Sequence, residues 1–287
     1  MNNHYIQQRY KTMSAEITYN TEHVVGMGSQ ATILSGYSAS KEIAVKIFPN
    51  NKGGLTSFHR EAHVLKAMRK KSGIVEMLGA SESQKAIAMK KYPCDLYQYV
   101  FEYRAMGRSP SNAKAVLKQI CRAVFHLHTS GIAHLDIKPE NVLVDIAANK
   151  FYLCDFGLCY VGTERGGTVN GIGLIGTPAY MAPEVSKSCH CYDPFAADVF
   201  SIGILFYVLL TGMFPNFSSS GRFEYPEGFE VSSSNHELLC GLLNFVPEKR
   251  PRIEEILKHP ALHESLLSKF TKKAKLAVSR SSNSISQ

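Results

Sequence analysis

Short apolar runs broken by turn residues fill the first part of the chain. His23-Val24-Val25, Ala31-Thr32-Ile33-Leu34 and Ile43-Ala44-Val45-Lys46-Ile47-Phe48 read as strands, with Gly26 to Ser29 and Ser38 to Lys41 as the turns between them. From Leu55 the period becomes helical, with Phe58, Ala62, Leu65 and Met68 three or four apart, and residues 74–92 return to short apolar runs. Beyond Pro93 helices dominate. Pro110 opens a long amphipathic segment through Leu117, Ile120, Val124 and Leu127, and Gly131 stops it. Further helices are predicted over 195–211, 236–245 and 252–258. Strands with one helix, followed by helices, predict an α+β protein in which a small β-rich lobe joins a larger helical lobe near residues 89–93.

A chain of 287 residues, 45% hydrophobic and 20% charged, has the length for two such packing units and the composition of a globular protein. The longest apolar run, Val199 to Leu210, is about half what a membrane span needs and predicts a buried core helix. Residues 1–20 contain no apolar run, so no secretory leader is expected. Seven scattered cysteines do not form a disulfide framework. These features together predict a reducing intracellular location, cytoplasm or nucleus. The net charge is +8, and the last twenty residues supply +5 of it through Lys269, Lys272, Lys273, Lys275 and Arg280. A body of net +3 argues against a nucleic-acid-binding core. The Ser-rich tail from 268 is expected to be disordered and to offer its lysines to an acidic partner or an import receptor.

Four stretches carry candidate chemistry. Gly26-Met27-Gly28-Ser29, running on to Ile33, lies between two strands, where closely spaced glycines let backbone N–H groups approach a polyphosphate. A hairpin turn would use the same residues. Lys46 sits inside an apolar strand and needs an anionic partner, which Glu61 could provide from the following helix. His134-Leu135-Asp136-Ile137-Lys138-Pro139-Glu140-Asn141 is the most specific. It places a carboxylate able to accept a hydroxyl proton, a lysine able to neutralise a phosphoryl oxygen and an amide able to ligate Mg2+ within six residues. Asp155-Phe156-Gly157 follows fourteen residues after Asn141 and offers a second Mg2+ ligand.

Taken in order, these stretches resemble the signature set of eukaryotic-type serine/threonine protein kinases, with Gly176-Thr177-Pro178 through Ala182-Pro183-Glu184, Asp198 to Gly203 and Arg250-Pro251 completing it. The resemblance implies a two-lobed kinase domain over residues 19–267, with the small lobe at 19–89, the hinge at 90–93 and the large lobe at 94–267. Residues 1–18 would be an N-terminal extension. It implies transfer of the γ-phosphoryl group of Mg-ATP to Ser or Thr hydroxyls of protein substrates. Asp136 would be the base, Lys138 would meet the transferred group, and Thr177 would bridge the two. Gly26, Met27, Gly28, Ser29, Ile33, Ala44 and Met89 would surround the nucleotide, with Lys46 on its α and β phosphates, Glu61 holding Lys46, and Asn141 and Asp155 on Mg2+. Arg250 would pair with Glu184. The rival function is a pseudokinase scaffold, against which the presence of Lys46, Asp136, Asn141 and Asp155 argues.

Several positions depart from the family pattern. Ala31 replaces the third loop glycine. Leu135 stands where many kinases carry an arginine that binds an activation-loop phosphate, so activity is expected not to require phosphorylation at Thr163 or Thr168. The short Ser- and Gly-rich stretch after Gly212 predicts a reduced docking helix. Glu140 favours a basic residue in the substrate, whereas Val208 stands where arginine-directed kinases often place a second acid. Lys90 to Leu96 is similar to hinges of herpesvirus kinases, which points to a viral source. Cys154 reads as a small core thiol, and Cys189-His190-Cys191 as a plain loop with too few ligands for zinc.

Overall fold

A computed structural model describes residues 7–11, 16–28, 31–106, 109–162, 168–170, 173–188 and 191–263. The alternating segment forms strands β1 (Gln7–Lys11), β2 (Glu16–Met27), β3 (Thr32–Ser38), β4 (Lys41–Ile47), β5 (Met77–Ser81) and β6 (Ala86–Lys90). They make one antiparallel sheet in the order β1-β2-β3-β4-β6-β5. Part of the 1–18 segment therefore belongs to this sheet, with Gln7 opposite Asn20 and Lys11 opposite Glu16. The strand period of two divides β6 cleanly. Ala86 and Ala88 join a small core with Ile17, Tyr19, Leu34, Ile43 and Val45, while Ile87 and Met89 face the main core.

Helix α1 (Lys52–Ala67) starts where Asn51 accepts a hydrogen bond from the Gly54 N–H. It buries Phe58, Glu61, Val64 and Leu65 against the sheet. The two lobes are stitched at Gly73 to Val75: the Leu153 N–H donates to Gly73 O and the Val75 N–H to Leu153 O, at 2.8 and 2.9 Å. Strands β7 (Cys94–Asp95), β9 (Val142–Asp145) and β10 (Lys150–Leu153) form a small sheet below the hinge, while β8 (Ile132–Ala133) pairs with β11 (Tyr160–Val161).

The large lobe is built on two helices. Helix α2 (Pro110–His128) has proline at its first turn, and Gly131 adopts φ +73° just beyond its end. Between the two come β12 (Val169–Asn170), the short α3 (Pro183–Ser188) and β13 (Cys191–Tyr192), which pairs with β12. Helix α4 (Pro194–Thr211) is capped by Asp193, which accepts from the Phe195 and Ala196 N–H groups, and it ends at Gly212 with φ +76°. By length and composition α4 could cross a membrane, yet every residue except Ala196 is buried inside the fold. No helix forms between Gly212 and Ser232. The segment makes a ribbon, β14 (Asn216–Phe217) with β15 (Phe223–Glu224), whose aromatic rings pack on Phe200, Tyr207 and Phe245 of the lobe. Helix α5 (Ser233–Leu242) begins three residues earlier than its apolar period suggested, because Ser232 caps it through the Asn235 N–H. Helix α6 (Ile253–Lys258) falls where expected.

Candidate active site

Two clusters of charged side chains meet at the cleft between the lobes. The upper one is centred on Lys46 of β4, whose ammonium donates to Glu61 Oε2 at 2.6 Å and to Asp155 Oδ1 at 2.8 Å. Burial alone would pull the lysine towards neutrality, but the Glu61 and Asp155 carboxylates outweigh it and hold its pKa above the ordinary lysine range. Glu61 is fully buried, and that burial pushes its carboxyl up to about 7 despite Lys46. Burial acts the same way on Asp155, but there the lysine prevails and its pKa stays below the usual carboxylate range. The cluster thus holds one cation against two acids, the more exposed of which, Asp155, opens to the cleft.

The lower cluster is carried by the loop after β8. Asp198 of α4, completely buried, fixes that loop from below. Its two carboxylate oxygens accept the backbone N–H groups of His134 and Leu135, each at 2.8 Å, and Oδ2 also bonds to His128 Nε2 at 2.9 Å. This clamp holds Leu135 at φ +63°, a conformation a leucine adopts only when its surroundings impose it. His134 Nε2 donates to Cys154 O at 3.0 Å and its ring packs on Phe156, so it ties the loop to the Asp155 segment.

Three residues of the loop, Asp136, Lys138 and Asn141, meet Thr177 from the later segment. Thr177 donates its hydroxyl hydrogen to Asp136 Oδ1 at 2.7 Å and accepts from Lys138 Nζ at 2.6 Å. Lys138 also lies 3.0 Å from Asp136 Oδ2. Asn141 donates its amide NH2 to both the Asp136 carbonyl and Oδ2, at 2.8 Å, which turns its amide oxygen the other way. Gly176 makes the approach of Thr177 possible, with φ +109° and room for no side chain: a Cβ there would lie 2.5 Å from Leu135 O. Behind Thr177, Arg250 forms a two-pronged ion pair with Glu184 at 2.6 and 2.8 Å.

A cavity of about 510 Å3 runs from the hinge to these clusters. Gly26, Met27, Gly28, Ile33, Ala44, Lys46, Glu61, Met89, Asn141 and Asp155 all line it. Ser29 lies outside the described residues, as do Thr163, the Cys189-His190 pair and the tail. Ala31, in place of a glycine, also lines the cavity, and its carbonyl accepts the Gly28 N–H that closes the loop. Cys154 reaches the wall as well, though burial pushes its thiol pKa up, away from a reactive thiolate.

Asp95 and Leu143 also face the cavity and were missed in the sequence. Their signal is non-local, since only the pairing of β7 with β9 sets Asp95 opposite Leu143. Arg60 was missed too. It donates to Gly157 O at 2.9 Å and so links α1 to the Asp155-Phe156-Gly157 turn. Among the described residues no group of three or more His, Cys, Asp or Glu forms a metal cage. An amide oxygen and one carboxylate at the edge of a cleft do fit Mg2+, which takes few protein oxygens and completes its shell with phosphate and water.

Residues 19–262 match the protein kinase domain. The chain is 34% identical over 246 residues to a probable serine/threonine-protein kinase of Encephalitozoon cuniculi, covering 84% of this chain and 43% of that protein. It is 31% identical over 286 residues to the probable serine/threonine-protein kinase fhkC of Dictyostelium discoideum, covering 90% and 47%. Serine/threonine-protein kinase D2 of Rattus norvegicus is 30% identical over 266 residues, covering 85% and 29%. The chain spans about half or less of the length of these curated relatives, and they lend no support to a viral source. On the domain match and on these relatives, the chain belongs to the protein kinase domain family.

Proposed function

We propose that the chain is a serine/threonine protein kinase that moves the γ-phosphoryl group of ATP onto hydroxyls of protein substrates. The observation that carries this reading is the closed Asp136–Thr177–Lys138–Asn141 arrangement, set beside the Lys46–Glu61–Asp155 cluster at one cavity. Ala44, Ile33 and Met89 give the cavity an apolar end suited to a nucleobase, and Lys46 places an ammonium for phosphates at the other, between Glu61 and Asp155.

Asp136 accepts the proton of the incoming hydroxyl as its oxygen bonds to the γ-phosphorus. The bond from that phosphorus to the bridging oxygen breaks, and ADP leaves. Lys138 neutralises charge on the transferred group, and Thr177 fixes the carboxylate and the ammonium relative to each other. Asn141 and Asp155 would hold Mg2+, which when bound supplies charge neutralisation on the phosphate oxygens. Little covalent chemistry is asked of the protein, so positioning provides most of the rate.

Leu135 has no charge to offer an activation-loop phosphate, and the described part of that segment is tied by backbone and hydroxyl contacts instead. Tyr192 donates its hydroxyl to Gly173 O at 3.2 Å, and β12 pairs with β13. Activity is therefore expected to survive phosphatase treatment. The primary test is transfer of labelled γ-phosphate from Mg-ATP to a generic protein, with the labelled residue identified. Label on Ser or Thr that drops by orders of magnitude in Asp136→Asn supports the proposal. Wild type as silent as the variant, while ATP still binds, would replace it with the scaffold reading.

A further inference from the structure

A second cavity, of about 820 Å3, lies where the C-terminal end of α1, strand β5 and the back of the hinge converge. Its floor is apolar. Met68, Ile74 and Val75 are buried there, Met77 and Leu78 are half-buried, and the Tyr92 and Tyr152 rings pack with centroids 4.8 Å apart.

Its rim is cationic. Lys66, Arg69, Lys70 and Lys71 are all exposed on it, and among the described residues none of the four has an ion pair or a side-chain hydrogen bond. Lys90, also on the wall, is already engaged with Asp145 at 3.3 Å, and Glu76 is the single acid in the lining. Residues 1–267 carry a net charge of +3, and these four side chains supply +4, so the rest of the body is slightly acidic. The C-terminal dipole of α1 favours a cation or two at its last turn. It does not account for four within six residues, three of them past the end of α1 at Ala67, where like charges crowd one rim. An anion seated in the groove would relieve their repulsion.

We propose that this groove docks an acidic segment of a partner protein, one that carries an aromatic or large aliphatic side chain as its anchor. Charge complementarity selects the acidic flanks. The apolar floor, together with a size in the usual range for ligand pockets, selects the anchor. The tail of this chain is a poor occupant, since residues 268–287 hold five basic residues and no acid. The groove shares Val75, Lys90 and Tyr92 with the nucleotide cavity but none of the groups assigned to phosphoryl transfer.

The test uses the full chain and a fluorescein-labelled peptide of Glu and Asp flanking one Phe-Leu pair, read by polarisation at low and high salt. We expect saturable binding that weakens with salt. It should fall at least about tenfold in K66E/R69E/K70E/K71E and fall again when the probe's Phe-Leu is replaced by Ser-Ser. Reversing the tail charges with K272E/K273E/K275E should leave it unchanged. If the charge-reversed variant melts early, K66Q/R69Q/K70Q/K71Q replaces it with the same expected loss. The proposal is overturned if the tail variant loses binding and the groove variant does not. Equal binding of the Ser-Ser probe, which is simple ion exchange, also overturns it. So does stronger binding of a DNA oligonucleotide to the same four residues, or no binding by either peptide.

Discussion

Thr177→Val deletes one hydroxyl and little else, which makes it a sharp probe of the proposed site. That hydroxyl bonds to a carboxylate at 2.7 Å and to an ammonium at 2.6 Å, and a hydrogen bond to a charged group contributes about 1.5–3 kcal/mol net. The two losses do not add, because Asp136 keeps the Asn141 amide at 2.8 Å and Lys138 at 3.0 Å and is never left bare. A cost near the lower half of that range, about 1.5–2.3 kcal/mol, converts to roughly a 10- to 50-fold fall in kcat/KM for a peptide substrate. The Lys46 cluster is untouched, so the KM for ATP should hold. Steady-state phosphoryl transfer with both substrates varied gives the numbers. Thr177→Ser should recover activity to within about threefold, and a thermal melt should show both variants folded. Full activity in the valine variant would refute the positioning role. So would a serine variant as impaired as valine, since the methyl group would then matter and not the hydroxyl.

Arg250→Ala removes the two-pronged contact to the Glu184 carboxylate and frees the Asn244 and Ala196 carbonyls that the guanidinium also serves, at 2.7 and 2.8 Å. Breaking such a buried pair costs about 3–5 kcal/mol. For a domain of this size that lowers Tm by roughly 6–20 °C in a calorimetric scan, and a shift of only a degree or two would contradict the assignment. Gly176→Ala puts a methyl group against Leu135 O in a backbone conformation alanine resists, so kcat should fall at least about tenfold while nucleotide binding by calorimetry persists. Burial lifts the Glu61 pKa from 4.5 to about 7, so the native state binds more protons than the unfolded chain between those values. Stability contributed by this group is therefore full below pH 4.5 and is lost as pH rises towards 7. Urea midpoints across that window should fall with pH in wild type and flatten in Glu61→Gln, and an unchanged slope would remove Glu61 as the source.

What could be read along the chain was what chemistry or local geometry ties to fixed spacing. Asp136, Lys138 and Asn141 share one loop, and Lys46 finds Glu61 one strand-to-helix step away, so these parts of both clusters were legible before any fold, whereas the meeting of Lys46 with Asp155 was not. Helix α2 announced itself through an opening proline and a closing glycine, and α4 through its long apolar run. Contacts set by the meeting of distant segments were hidden. Arg60 looks like one more charge on a solvent-facing stripe until the turn at Gly157, 97 residues on, comes within 2.9 Å. Asp95 and Leu143 are set opposite each other at the cleft cavity only through strand pairing. Charge behaves the same way. Counted along the chain, the basic excess seemed to belong to the tail, because Lys66 to Lys71 are diluted by acids such as Glu61 and Glu76 on either side. Folding removes part of that dilution: it buries Glu61 under Lys46, leaves Glu76 as the single acid of the groove, and gathers the four cations on one rim. A net charge computed over a segment averages over directions that a surface keeps apart, and partners meet the surface.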